Sequence, residues 1–209
     1  MTIPILRPEA VTPDWLTAVL AQGGVEARVA GFTAKPVGTG QIGQSVKFTL
    51  DYARAGTNAP ASLVGKFPAP GEESRGTGVA LGNYIREANF YNHLAPTALI
   101  ATPKCYFADV DPETSEFVLM MEDLAPAEQG DQLRGCTLHQ ARLALYEAAN
   151  LHASHWNDAP SRTSLGSAAR APRPRSARPI RTRSPRCGRC SVPAMSAASQ
   201  PMRAASAMR

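Results

Sequence analysis

The sequence predicts an α+β protein: an antiparallel sheet with one helix packed on it, a further helix, and then a disordered tail. Three observations predict it. Alternation of apolar and polar residues with period two recurs in short stretches bounded by Gly and Pro, two longer segments have helical spacing with start and stop signals, and the composition breaks at Asp158. Residues 159–209 hold 11 Arg, 11 Ala, 9 Ser and 7 Pro, with no Asp, Glu, Lys, Phe, Tyr or Trp. A stretch so poor in apolar bulk cannot recover its ordering entropy by burial. The first 158 residues carry all 13 aromatic and all 17 acidic side chains; they sum to −6 and the tail to +11, so the overall +5 describes neither part.

The elements follow in order. Thr12-Pro13-Asp14, then Trp15, Leu16, Val19 and Leu20, then Gly23-Gly24, read as a short amphipathic helix with a hydroxyl cap, Pro at its first position and Gly at its stop, serving as a lid or brace. Residues 25–32, 45–52 and 62–67 read as three antiparallel strands. Residues 83–94 are helical in spacing and end before Pro96, and residues 103–109 and 116–121 flank the polar turn at 111–115 as a hairpin. A last helix starts at the capping box Thr137-x-x-Gln140 and carries Leu138, Ala141, Leu145, Ala148 and His152 on one face as far as about Trp156. No apolar run approaches bilayer length, no basic and apolar leader opens the chain, and four Cys without a framework fit a reducing compartment. The expectation is a cytoplasmic protein with no membrane partner.

Three features carry chemistry. Gly38-Thr39-Gly40-Gln41-Ile42-Gly43-Gln44-Ser45 is a G-x-G-x-x-G followed by a strand. A dinucleotide fingerprint needs a helix at that point, whereas a Gly-rich turn between antiparallel strands can lay backbone N–H groups over the phosphates of a nucleoside triphosphate. Alone, the motif is also compatible with a plain flexible hairpin. Lys66, in Leu63-Val64-Gly65-Lys66-Phe67, alternates onto the face of Val64; alone it reads as an edge lysine whose amine reaches water. Glu87 weighs against that, because Tyr84, Glu87, Tyr91 and Leu94 share one helix face and place a carboxylate inside an apolar stripe. A carboxylate there needs a cation, for which Lys66 is the candidate; the alternative is a Glu87 that reaches past the rim to solvent or to the Arg86 side of the helix. Breaking a buried pair of this kind costs about 3 to 5 kcal/mol.

These residues, together with Tyr84-x-x-Glu87-x-x-Phe90-Tyr91, Leu119-Met120-Met121-Glu122-Asp123-Leu124 and Leu151-His152-Ala153 with Trp156, resemble the amino-terminal half of the aminoglycoside-phosphotransferase-like kinases. The choline-kinase and ecdysteroid-kinase-like branch of small-molecule kinases is the most similar, over roughly residues 12–157. Ser45 departs from the pattern, standing where protein kinases usually have Val. The resemblance implies a protein-kinase-like small lobe and hinge at residues 1–124, the start of a large lobe at 125–158, and the tail at 159–209. It further implies that the turn of Gly38, Gly40, Gly43 and Ser45 covers ATP phosphates, that Lys66 contacts the α- and β-phosphates while paired with Glu87, and that the backbone of Met121, Glu122 and Leu124 holds adenine. Intact members transfer the ATP γ-phosphate to a small-molecule hydroxyl with Mg.

In that family the last helix is followed by a catalytic loop and by acids that hold magnesium. Here no His follows His155 and no acid follows Asp158. A lost base costs about 10² to 10⁴ in rate, and losing the metal ligands as well removes the charge stabilisation on which phosphoryl transfer depends. The expectation is an inactive phosphotransferase with no catalytic and no metal-binding residues. Arg, Ala, Pro, Ser and Gly have GC-rich codons, so the tail reads as out-of-frame translation. Two alternatives are a nucleotide-sensing pseudokinase and a basic arm binding nucleic acid non-specifically. Cys187-x-x-Cys190 stands alone, too little for zinc, and His152 and His155 lack further ligands, so a packed His152 is expected.

Overall fold

A computed structural model describes residues 2–38, 40–131, 133–154 and 156, all within one compact unit. The tail, with Cys187 and Cys190, and His155 lie outside the described residues. The described chain runs α1 (Pro13–Gln22), β1 (Arg28–Val37), β2 (Gly43–Arg54), β3 (Ser62–Pro68), α2 (Glu72–Ala80), α3 (Asn83–Asn89), β4 (Cys105–Val110), β5 (Phe117–Glu122) and α4 (Leu138–Ser154). The strands form one antiparallel sheet in the order β1-β2-β3-β5-β4. The α+β class is as the sequence predicts.

Alternation divides the sheet into two faces. Val46, Phe48 and Leu50 of β2, Leu63 and Phe67 of β3, and Val118 and Met120 of β5 join Trp15, Leu16, Val19 and Leu20 of α1 in the main core. Leu16, Val19 and Leu20 are fully buried, each contributing about 2 kcal/mol, so α1 is a brace built into the core. Its start follows the sequence: the Thr12 side chain accepts the Trp15 N–H at 3.2 Å, with Pro13 behind it. The Thr17 hydroxyl, accepting the Val29 N–H at 3.0 Å, fastens the helix to β1. On the other face Phe117 and Leu119 pack with Tyr84 of α3 in a smaller cluster. Strand β5 is covered on both faces, which is why it reads as the unbroken apolar run Phe117-Val118-Leu119-Met120.

The structure corrects several expectations. Strand β1 is displaced towards the C-terminus from the expected 25–32, because Val25 and Ala27 pack in the core before the strand begins. Its second half is mostly exposed and held by pairing, with Lys35 opposite Lys47 and Val37 opposite Ser45. As the sheet edge it tolerates Pro36. Helix α2 was not expected, since Gly76, Gly78 and a weak apolar stripe hide it; its acidic first turn (Glu72, Glu73) suits the helix dipole. Arg75 of α2 and Arg7 both pair with Glu116, Arg7 at 2.7 Å. Burial alone would push the Glu116 carboxyl up, and the hydrogen bonds from the two arginines bring it below the usual range. The expected helix over 83–94 divides into α3 and a wider π turn at Phe90–Leu94.

Helix α4 opens on the expected capping box: the Gln140 N–H reaches the Thr137 hydroxyl at 3.2 Å, and the Thr137 N–H reaches the Gln140 side chain at 2.8 Å. None of its residues is buried, and Leu138 and Leu145 are 71% exposed. The Ala101 N–H to Glu147 at 2.7 Å and the Leu99 N–H to Ser154 at 3.3 Å tie it to the chain before β4. His152 is exposed rather than packed. Among the described residues no helix is long and apolar enough to cross a membrane.

Candidate functional site

The register of β2, β3 and β5 sets the site. Ser45 lies opposite Lys66, and Lys66 opposite Leu119, so these side chains share one face of the sheet. Helix α3 packs on that face and delivers Glu87, whose Oε1 lies 2.6 Å from the Lys66 Nζ. Their side chains are 33% and 28% exposed. The pair is therefore half-buried, and the figure for fully buried pairs gives way to about 1 kcal/mol or less. What exposes it is an open cleft of about 860 Å³.

The glycine-rich turn forms one wall of that cleft. Gly38, Gly40, Gln41, Ile42, Gly43 and Ser45 line it together with Lys66, Glu87, Arg86 and Tyr91. Gly38 has φ +76°, a conformation that favours glycine. A Cβ on Gly40 would strike the Gly43 carbonyl oxygen, so the turn closes this tightly only with Gly there. Burial pushes the Tyr91 phenol up, and the negative charge of Glu87 adds to it.

The structure thus brings Gly38, Gly40, Gly43, Ser45, Lys66 and Glu87 into one cleft. It does not bring Met121, Glu122 and Leu124 there. Met121 packs at the rim of the smaller cluster, Leu124 is exposed, and Glu122 lines a separate cavity of about 450 Å³ with Lys47, Ser62 and Asp123. In that cavity the Lys47 Nζ lies 2.6 Å from Asp123 Oδ2, the Ser62 hydroxyl donates to the same oxygen at 2.6 Å, and the Ala125 N–H reaches Oδ1 at 3.0 Å. These hydrogen bonds, with the Lys47 and Ser62 contributions largest, hold the Asp123 carboxyl at about 2. Sequence reasoning did not single out Lys47; its alternation onto the face of Ser45 is the signal that was available.

The cleft fits the phosphates of a nucleotide: a lysine held by a carboxylate lies beside a tight glycine turn that leaves room for an anion. It does not fit a divalent cation. Of the side chains lining it, Glu87 alone is a carboxylate, and that one is committed to Lys66.

An antiparallel sheet with a glycine turn over a helix-held Lys–Glu pair defines a kinase-like phosphotransferase lobe. The sequence confirms the class independently, for residues 42–156 match the ecdysteroid kinase-like family, and the chain belongs to that family. The match begins at Ile42, just after Gly38 and Gly40. No curated protein matches the chain.

Proposed function

We propose that this chain holds ATP in the cleft between the glycine turn and α3 and does not transfer its phosphate. The Lys66–Glu87 pair, 2.6 Å long and open to the cleft, carries the reading. Bound ATP would bring the transferable γ-phosphoryl group. The backbone of the turn from Gly38 to Gly43, with Ser45, cradles its phosphates, and Lys66, oriented by Glu87, neutralises the α- and β-phosphates. The adenine would lie beyond the residues that line the cleft, on the backbone of Met121, Glu122 and Leu124, which do not themselves line it. The family's description names ecdysteroids, which are hydroxylated steroids, so the alcohol that a member with a catalytic loop would phosphorylate is proposed to be of that class. Residues 159–209 contain no Asp, Glu or His to serve as base or metal ligand, which supports binding without turnover.

Titration of the purified chain with a fluorescent ATP analogue tests this, alongside a γ-phosphate transfer assay over choline, sugar, aminoglycoside and steroid alcohols. The expected result is saturable binding, competed by ATP, weakened by Lys66→Met, and no phosphorylated product. Absence of binding would overturn the nucleotide reading, and product formation lost in Lys66→Met would overturn the inactivity. The 11 Arg of the tail favour a second reading, a basic arm on nucleic acid. That reading requires retention on DNA that falls steeply with salt and disappears when the tail is removed.

A further inference from the structure

Tyr84 precedes Glu87 by three residues on α3, so both lie on one side of the helix. The ring is buried, 2% exposed, and stacked on Phe117 with centroids 4.9 Å apart and planes 16° from parallel. Its hydroxyl donates to the Ile42 carbonyl at 2.5 Å. The same carbonyl accepts the Ala69 N–H at 3.2 Å, and that N–H also faces the Tyr84 oxygen at 3.4 Å. Ile42 belongs to the glycine turn, between Gly40 and Gly43. The knot has no slack on its far side: a Cβ on Gly78 of α2 would come within 2.6 Å of both the Ile42 Cγ2 and the Tyr84 Cζ.

We propose that Tyr84 is a positioning residue that clasps the glycine-rich turn to α3, so that one helix sets both phosphate-facing groups, the turn through Tyr84 and Lys66 through Glu87. The proposal deepens the nucleotide reading and rests on it for its consequence, although the clasp itself does not. A shift of α3 would then release the turn and the lysine together. The cleft would gain or lose its grip on phosphates as a unit.

The test is Tyr84→Phe in the full chain, which keeps the ring and its stacking and removes one oxygen. A second variant, Gly78→Ala, presses on the same knot from α2. Hydrogen–deuterium exchange without nucleotide should show residues 41–45 exchanging about three- to tenfold faster in both variants, as loss of one buried hydrogen bond implies. Residues 117–122 should be unchanged. The Kd for ATP should rise by a comparable factor while that for adenosine stays the same. Unchanged exchange at 41–45, or equal acceleration at 117–122, overturns the clasp whether or not ATP binds. Faster exchange with ATP and adenosine weakened alike overturns its role in phosphate positioning. If the unmodified chain binds no ATP, the nucleotide reading falls, and exchange alone decides the clasp.

Discussion

Asp123→Asn removes one charge and little volume at the segment that follows β5. Asp123 accepts from Lys47 and Ser62 at 2.6 Å each and from the Ala125 N–H at 3.0 Å. Its carboxyl lies at about 2, against 3.8 unperturbed. At about 1.4 kcal/mol per unit this shift has a ceiling of about 2.5 kcal/mol. Lys47 is one-third exposed, and screening reduces the contribution to about 1 to 2 kcal/mol. The folded carboxyl is the stronger acid, so the contribution is complete above the unfolded value near 4 and disappears as pH falls through about 2. Urea denaturation of the parent and Asp123→Asn at a series of pH values reads the difference directly. The curves should be separated by about 1 to 2 kcal/mol at pH 7 and draw together as pH falls from about 4 through about 2. A constant separation down to pH 2 would refute the assignment of this stability to the Asp123 charge, and no separation at any pH would refute the tie between β2, β3 and the segment after β5.

Two further outcomes follow from burial. Leu16→Ala empties a fully enclosed position between α1 and the sheet and should cost about 2 to 5 kcal/mol, measured as a fall in the urea midpoint; a loss below about 1 kcal/mol would make α1 a peripheral strap. Glu87→Gln removes the charge that holds a half-exposed lysine. It should change stability by less than about 1 kcal/mol yet raise the Kd for ATP about two- to fivefold.

The sheet was legible because its buried positions alternate. Phe48 and Leu50, or Leu63 and Phe67, announce a face whatever the register. Helix α1 was legible because Thr12, Pro13 and Gly23 punctuate it. What stayed hidden depends on partners distant in sequence. Helix α2 carries Gly78 where a stripe residue would reveal it, because Tyr84 and Ile42 occupy that space. The outer half of β1 has no apolar signal, since pairing with β2 rather than burial keeps it extended. The Lys66–Glu87 pair was readable from two separate periodicities, one of two and one of 3.6. Its partial exposure was not, for the cleft that exposes it is made by the glycine turn and the helix together. Likewise the Tyr84 clasp needs the Ile42 carbonyl, and a backbone atom leaves no trace in a pattern of side chains.

The charge lining the cleft makes a last prediction about magnesium. Where a kinase holds magnesium, acids on the protein and phosphates on ATP share the metal, so magnesium tightens the complex. Here Lys66 and Arg86 line the cleft and the single lining carboxylate is already paired. Phosphates would be held by fixed cations and backbone N–H groups alone, and a magnesium ion that neutralises those phosphates competes with them. The Kd for ATP measured in EDTA should therefore equal or fall below that measured with excess magnesium, and should rise with salt as exposed charges are screened. Tighter binding with magnesium would refute this prediction, because it requires carboxylate ligands beyond the one that lines the cleft.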